Sequence, residues 1–312
     1  MSLLAIENQA LVDPARGRRV ATRVYAPAAT GRHPVVIFSH GFSSDLNSFT
    51  NTARYWAEHG YVVLHPTHAD SINFPDETVD PAEADTIRRT IAGRATGVDE
   101  ETRKKFVRAL DNPFYLNSRL KDLSFIVRCL QGEGTLDERV VARADLGRLA
   151  IAGHSYGAYT ALVVAGARLT RDCEAIRDPL LRKFSAALAV SAQGAGRMSL
   201  SNASFAGIRV PLFSITGSKD IGAAGETPEW RQQGFRDSPP GDRFAADVSG
   251  FGHVDFDPPE GDPVRGAQGD ELRRMQLEFL DGFVVGRTEA RQSLLARARA
   301  SKPTDPIFVQ AR

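Results

Sequence analysis

The stretch Gly-His-Ser-Tyr-Gly at residues 153–157 fits the pattern G-x-S-x-G, in which a serine hydroxyl can attack a carbonyl carbon. The apolar run at 149–153 has the character of a buried strand, and residues 156–169 have helical spacing. A sharp turn between strand and helix holds its serine in a strained conformation, and the flanking glycines remove side chains that would collide there. The pattern therefore predicts Ser155 as a nucleophile at a helix N-terminus. The alternative is a tight turn whose serine only caps the helix.

A serine hydroxyl is a poor nucleophile at neutral pH, so it needs a base, and that base needs an orienting carboxylate. In this architecture the acid and then the histidine follow the serine along the chain. Of seven histidines only His253 follows Ser155, in the glycine-bearing sequence G-F-G-H-V-D-F just past an apolar run. Asp220 follows the apolar run at 212–216, where a strand end can present it. Asp220 is therefore the predicted acid, with Glu226 as the alternative.

Attack on an ester builds negative charge on the carbonyl oxygen, and losing one N–H donor aimed at that oxygen costs roughly 3 to 4 kcal/mol. The first predicted donor is the backbone N–H of Tyr156, next to the nucleophile. The second is the backbone N–H of Phe42, because the apolar run at 35–39 leads into His40-Gly41-Phe42. His40 is then expected to pack beneath that loop rather than to take part in the chemistry.

The sequence H-P-T-H-A-D at 65–70 carries metal-ligand residue types at suitable spacing. A proline follows the first histidine directly, and no further cluster in the sequence completes a four-ligand shell. A polar loop after a strand is also what a substrate pocket would have. We therefore expect no metal here, and a site of His65, His68 and Asp70 is the alternative.

Seven short apolar runs rich in Val, Ile and Ala alternate with segments of helical spacing. The predicted strands lie at 21–25, 35–39, 61–65, 149–153, 186–190, 212–216 and 244–248, and the predicted helices at 46–59, 120–130, 156–169 and 270–285. Such alternation predicts an α/β fold whose central sheet is mostly parallel and is flanked by helices on both faces. No helix separates the first two runs, so an antiparallel hairpin is expected to open the sheet.

One stretch, 71–117, contains no convincing strand, many charges and two helix-like pieces at 81–92 and 99–110. A long insertion at a strand end beside a catalytic loop predicts a helical lid, and a peripheral helical decoration is the alternative. Residues 1–312 are expected to form one domain that contains this insertion. The final residues, 301–312, are expected to fray.

The composition is that of a soluble globular protein, with 312 residues of which 42% are hydrophobic and 25% charged. The 39 Lys and Arg residues balance 38 Asp and Glu residues, so no global field favours nucleic acid or stable association with an anionic membrane. Two cysteines are too few for a disulfide framework, and the sequence shows no basic leader and no run of ~20 apolar residues. These features predict a cytoplasmic protein and leave its oligomeric state open.

Taken together, the chain resembles the α/β-hydrolase superfamily, and within it the platelet-activating-factor acetylhydrolase and dienelactone-hydrolase-like branch. The matching pieces are P-V-V-I-F-S-H-G-F at 34–42, H-G-Y-V-V-L at 59–64, R-L-K-D-L-S-F at 119–125, G-H-S-Y-G-A-Y-T-A at 153–161, T-G-S-K-D at 216–220 and G-H-V-D-F at 252–256. The resemblance implies the α/β-hydrolase fold, no metal or organic cofactor, and the roles of five residues: Ser155, Asp220 and His253 as a catalytic triad, with Phe42 and Tyr156 as oxyanion donors. True dienelactone hydrolases use a cysteine at the position that Ser155 occupies here.

The function that these residues predict is hydrolysis of a small-molecule ester through an acyl-enzyme. Acyl transfer by the same residues is the nearest alternative, and a non-catalytic ligand-binding protein of the same fold is an alternative from another class. The insertion is rich in charge, which argues against a lipid-docking face and predicts small soluble esters. A small pocket lined by Phe42, Tyr156 and Phe74 is expected.

Overall fold

The computed structural model describes residues 2–76, 79–92, 97 and 99–312. The strands within this part of the chain are β1 (Leu3–Asp13), β2 (Arg18–Pro27), β3 (His33–Ser39), β4 (Val62–Pro66), β5 (Ala144–His154), β6 (Phe184–Val190), β7 (Leu212–Lys219), β8 (Arg243–Gly252) and β9 (Ile307–Ala311). They form one sheet in the order β1-β2-β4-β3-β5-β6-β7-β8-β9. The strands from β4 to β8 run parallel, and the pairs at both edges are antiparallel. All seven predicted strands are therefore confirmed.

The helices connect successive strands or extend from the sheet. They are α1 (Thr50–Glu58), α2 (Pro81–Ala92), α3 (Glu100–Leu110), α4 (Pro113–Leu130), α5 (Glu138–Arg143), α6 (Tyr156–Val164), α7 (Pro228–Arg231), α8 (Gln233–Arg236), α9 (Gly266–Leu280) and α10 (Thr288–Ala300). A π-helical turn, Asp281–Val285, follows α9 directly. The four predicted core helices are confirmed in place, with ends that differ by several residues.

The parallel strands are apolar on both faces because helices cover both. Successive side chains of a strand point to opposite faces, so Val35 of β3 joins one hydrophobic core and Val36 joins the other. The first core includes Leu120 of α4 and residues of α6. The second includes Trp56 of α1 and Phe279 of α9. This is the predicted α/β architecture, a mostly parallel sheet between two layers of helices.

The antiparallel hairpin that opens the sheet differs from the predicted one. The sequence pattern predicted a hairpin of the runs at 21–25 and 35–39. In the structure β1 instead pairs with β2, and β2 also pairs with β4. Strand β3 lies between β4 and β5 and is parallel to both. Strand β1 was not predicted because it is an edge strand with mostly exposed or half-buried residues, so its apolar pattern is weak.

The prediction that 301–312 frays is wrong. Residues Ile307–Ala311 form β9, which pairs antiparallel with the outer edge of β8 from Phe244 to Val248. Val309 is buried against the second core, and its backbone N–H donates to the hydroxyl of Ser301 over 2.9 Å. This tail is ordered for two reasons. It pairs with backbone groups on the edge of β8 that would otherwise lack partners, and Val309 covers the second core.

Both helices predicted in the insertion are confirmed as α2 and α3. Asp99 caps α3, because its side chain accepts a hydrogen bond from the N–H of Thr102 over 2.8 Å. The insertion ends earlier than predicted, since 113–117 belong to the first turns of α4, where Asn112 is the N-cap. Residues 77–78, 93–96 and 98 of the predicted lid lie outside the described residues.

Candidate active site

Ser155 lies in a strained turn between β5 and α6. Its backbone has φ 54° and ψ −117°, a conformation that side-chain-bearing residues rarely adopt. A Cβ on Gly153 would lie 2.3 Å from the carbonyl oxygen of Gly157, and a Cβ on Gly157 would lie 1.8 Å from the carbonyl oxygen of Ser39. The predicted need for glycine at both positions is confirmed, because the backbone segments approach too closely for any side chain.

Two consecutive hydrogen bonds link the three side chains of the predicted triad. The hydroxyl oxygen of Ser155 lies 3.0 Å from Nε2 of His253, and Nδ1 of His253 lies 2.9 Å from Oδ1 of Asp220. With the proton on Nδ1, the ring donates to Asp220 and Nε2 can accept the serine proton. The alternative acid, Glu226, instead accepts from the N–H of Ala224 over 2.9 Å, away from His253.

A buried arginine that the sequence analysis missed contacts the same carboxylate. Nε of Arg231 on α7 lies 2.8 Å from Oδ1 of Asp220, and Thr216 donates its hydroxyl to Oδ2 over 3.1 Å. Burial alone would raise the pKa of Asp220, but the hydrogen bond from His253 and the charge of Arg231 outweigh burial and lower that pKa below its usual value. No spacing rule links Arg231 to Asp220, so the sequence carried no signal for this contact.

Two further side chains hold His253, and the sequence analysis missed both. Nε2 of His154 donates to the carbonyl oxygen of His253 over 2.7 Å. Burial is the main reason why the pKa of His154 is lowered to about 3, so this ring is neutral at pH 7. The hydroxyl of Ser191, just past β6, lies 2.8 Å from Nδ1 of His253. These contacts join the loop of His253 to the ends of β5 and β6.

The two predicted oxyanion donors lie side by side next to the serine. A Cβ added to Gly41 would lie 3.5 Å from Cβ of Ser155, so the loop after β3 passes directly against the serine turn. The rings of Phe42 and Tyr156 are 5.3 Å apart between centroids. Within the described residues, neither backbone N–H has a hydrogen-bond acceptor. Both amides are therefore unpaired among the described residues.

A second buried arginine, Arg119 of α4, holds this loop from beneath. It donates to the carbonyl oxygen of His40 over 2.6 Å and to that of Gly41 over 3.3 Å, and it forms an ion pair with Asp70 at 2.7 Å. Its guanidinium carbon lies 4.8 Å from the centroid of the Tyr156 ring. Arg119 occurs in the R-L-K-D-L-S-F stretch, but no role could be assigned to it from the sequence.

His68, in the loop after β4, belongs to the same hydrogen-bond network. His68 lies 2.9 Å from the hydroxyl of Ser39 and 2.8 Å from a carboxylate oxygen of Asp122. Its backbone N–H donates to Nε2 of His40 over 2.9 Å. His40 is buried beneath the loop, as predicted, and burial holds its pKa well below the usual value, so the ring is neutral.

The alternative metal site is not assembled. His65 stacks on Phe38 at 5.0 Å between ring centroids, whereas His68 is bound to Asp122 and Asp70 to Arg119. Across 2–76, 79–92, 97 and 99–312, no group of three or more His, Cys, Asp or Glu side chains is placed to hold a metal ion.

Ser155 and His253 open into a cavity of about 790 Å³. The insertion forms one wall of it, through Ile72, Asn73, Thr90, Ile91, Gly97, Arg103, Phe106 and Leu110. The pocket is larger than predicted, and of the three side chains expected to line it only Phe42 does so. Tyr156 is buried against Arg119 and Tyr159, which removes its ring from the cavity. Phe74 also does not contribute to the lining.

The strand order, the two helical layers and the serine turn at the end of β5 define the α/β-hydrolase fold. A solved structure of a proposed dienelactone hydrolase from Klebsiella pneumoniae subsp. pneumoniae MGH 78578 superimposes with a TM-score of 0.58 at 15% sequence identity, covering 91% of this chain and 100% of that one. No protein-family model and no curated protein matches the sequence. None of the helices in the described part of the chain is long and apolar enough to cross a membrane.

Proposed function

We propose that this protein is a serine carboxylic-ester hydrolase that acts through an acyl-enzyme. The observation that carries the proposal is the continuous hydrogen-bonded chain from Ser155 through His253 to Asp220, which opens into a cavity next to two available amides. A strained serine, a neutral base and a buried carboxylate are the groups that acyl transfer requires. Two observations favour a nucleophilic role for Ser155 over helix capping. Its backbone is strained, and its side chain makes no cap hydrogen bond.

In the proposed reaction, Oγ of Ser155 attacks the ester carbonyl carbon while its proton moves to Nε2 of His253. The carbonyl oxygen becomes an oxyanion between the N–H groups of Phe42 and Tyr156. The bond to the leaving alcohol then breaks, and the alcohol takes the proton from Nε2 and leaves Ser155 acylated. Water next gives a proton to Nε2 of His253 and attacks the acyl carbon. The bond from that carbon to Oγ of Ser155 then breaks, Oγ takes the proton back from Nε2, and the carboxylic acid leaves. Asp220 stays ionised throughout and stabilises the imidazolium.

The cavity favours a single small-molecule ester as the substrate. Its volume of about 790 Å³ lies in the range that encloses one drug-sized molecule. The wall next to Ser155 is apolar where Phe42, Ile91 and Phe106 meet it. The outer face of α3 carries charge pairs, such as Lys104 with Glu100 at 2.7 Å, and such a face is unsuited to docking on lipid. We therefore propose soluble esters with an apolar group as the substrate class.

The test is labelling with a fluorophosphonate, which reacts covalently with activated serines. We expect the unaltered protein to be labelled at Ser155 and to hydrolyse a p-nitrophenyl ester. Ser155→Ala should lose both properties, with activity reduced at least about 1,000-fold. Ser185→Ala is the matched control. Ser185 lies near the start of β6, at the opposite end of that strand from the site, and its hydroxyl donates to the carbonyl oxygen of Leu149.

A labelled protein excludes a non-catalytic binder, and product analysis with an added alcohol distinguishes hydrolysis from acyl transfer. Unlabelled protein, or Ser155→Ala activity within tenfold of the parent, would overturn the proposal.

A further inference from the structure

We propose that Arg231 is a positioning residue that holds Asp220 ionised and fixed toward His253, and that it thereby extends the activity of the site to acidic pH. This inference rests on the proposed function, because it assigns a role within the same reaction. Arg231 is 3% exposed and lies on the short helix α7. Nothing in the sequence motifs accounts for a buried cation at this place.

A hydrogen-bond donor and a cation meet at one oxygen of Asp220. Oδ1 of Asp220 accepts from Nδ1 of His253 at 2.9 Å, and it forms an ion pair with Nε of Arg231 at 2.8 Å. His253 becomes a cation when it takes the serine proton, and Oδ1 of Asp220 must stabilise that cation. Arg231 places a fixed positive charge next to the same oxygen. A nearby cation opposes protonation of the imidazole and favours the ionised form of Asp220.

Arg231 also ties the acid loop to the neighbouring strand end. Nη1 donates to the carbonyl oxygens of Ser191 at 2.9 Å and Ala192 at 3.3 Å, and Nη2 donates to that of Ile221 at 3.4 Å. Nε donates a hydrogen bond to the backbone carbonyl oxygen of Asp220 itself at 3.1 Å. The guanidinium therefore bridges the residues after β6 and after β7. This bridge fixes the carboxylate independently of His253.

The other charged groups around His253 do not reproduce this effect. His154 packs beside the ring of His253, with 4.9 Å between centroids, and is neutral because burial lowers its pKa to about 3. Asp255, on the same loop, is paired with Arg265 at 3.1 Å. Glu226, which faces Arg231, lies 3.7 Å from Arg197. Among the described residues, Arg231 is the cation that forms an ion pair with Asp220.

The experiment measures the rate of fluorophosphonate labelling of Ser155 between pH 4.5 and 9 in the 312-residue protein. A neutral His253 and an ionised Asp220 are both needed, so the rate should rise through an acidic limb to a plateau. For Arg231→Met we expect the limb to move up by about one pH unit, which makes labelling about tenfold slower at pH 5.5 relative to its plateau. Arg231→Lys keeps the charge and should return the limb toward its original position, with a lower plateau because the carbonyl bridge is lost.

Arg243→Met is the matched control. Arg243 is also a buried arginine that donates to backbone carbonyls, those of Val210 and Ile208, but it lies at the start of β8, away from the site. Its loss should lower the melting temperature without moving the limb.

Coincident limbs for Arg231→Met and the parent would overturn the role of Arg231 while leaving the proposed function intact. A limb that moves equally in Arg243→Met would also overturn it, because the shift would then reflect general destabilisation. Absence of labelling in the unaltered protein would overturn the proposed function and this inference together.

Discussion

The two sides of Ser155 are each built around a buried arginine, and the two arginines differ in what their carboxylate partner does. One side, called here the oxyanion side, is the loop after β3 that carries the proposed donor Phe42. There Arg119 pairs with Asp70 and donates to the carbonyl groups of that loop. The other side, called here the acid side, is the loop after β7 that carries Asp220. There Arg231 pairs with Asp220 and donates to carbonyl groups of the loops after β6 and β7. The same device therefore anchors both halves of the site.

The difference lies in the link to the reacting atoms. Asp70 accepts from the backbone N–H of Ser43 at 2.9 Å, and in the described part of the chain it contacts no member of the proposed triad. The pair with Arg119 should therefore act through the shape of the loop. Asp220 accepts directly from His253. Changing Arg119 should therefore alter how well the oxyanion is held, whereas changing Arg231 should also alter the pH at which the base works.

The largest effect is expected on the acid side, from the triad itself. His253→Ala should reduce ester hydrolysis at least about 1,000-fold, because no other group can accept the proton of Ser155. Asp220→Asn should be somewhat milder, since an orienting acid can be partly replaced. Initial rates on a short p-nitrophenyl ester measure both. If Glu226→Gln proves crippling while Asp220→Asn is mild, the assignment of the acid is wrong.

On the oxyanion side, Arg119→Met should lower kcat/KM about 100-fold, because one of two amide donors loses its support. Leaving Asp70 buried and unpaired should also reduce the free energy of unfolding by about 3 to 5 kcal/mol. The double variant Arg119→Met with Asp70→Leu should regain part of that stability and none of the activity. Urea unfolding and kinetics on the same samples separate the two effects.

The pH profile of Arg119→Met distinguishes the two sides further. Its acidic limb should stay where the parent's limb lies, in contrast to the shift expected for Arg231→Met. A shifted limb in Arg119→Met would show that both arginines act on the base, and the distinction between the two sides would then be lost.

A smaller effect is expected from the insertion, whose helix α3 packs against Phe42 next to the proposed oxyanion donors. Phe106 of α3 packs edge-on against Phe42, with 5.7 Å between ring centroids, and lines the cavity. Phe106→Ala should lower kcat/KM about tenfold for an ester with a bulky apolar group, because loss of buried apolar contact costs more than ~1 kcal/mol. Acetate esters should be affected much less. Equal losses on both substrates would mean that Phe106 supports the loop rather than the substrate.

The smallest effect concerns stability at acidic pH and provides a control for the pH profiles. Burial is the main cause that lowers the pKa of His65 to about 3 and that of His68 to about 4. Both rings are neutral when folded, whereas in the unfolded chain they protonate near pH 6.5, the usual value. Their stabilising contribution is therefore present above about pH 6.5 and declines as pH falls toward 4.

The melting temperature should accordingly fall between pH 7 and pH 5, and it should fall less steeply in His65→Leu, which cannot be protonated. His65 contacts neither arginine, so this variant should not change the acidic limb of labelling. A melting temperature in His65→Leu that falls as steeply as the parent's would contradict the assignment of a buried neutral histidine.

The sequence by itself determined the features that depend on neighbours along the chain. The apolar runs predicted seven strands, and the glycines at 153 and 157 predicted a turn that no side chain could enter. Chain order then singled out His253, because it is the one histidine after Ser155. The predictions of the strands and of the turn succeeded because periodicity and backbone sterics act over a few residues.

Only the tertiary structure decided which distant residues meet. Arg119 lies about 80 positions from the carbonyl groups that it holds, and His154 and His253 meet across 99 positions. Strands β1 and β9 are edge strands whose pairing, rather than their own pattern, makes them strands. A buried charge is tolerated only where a partner has been brought to it by the fold, so the two arginines of the site could not be recognised before their carboxylates were in place.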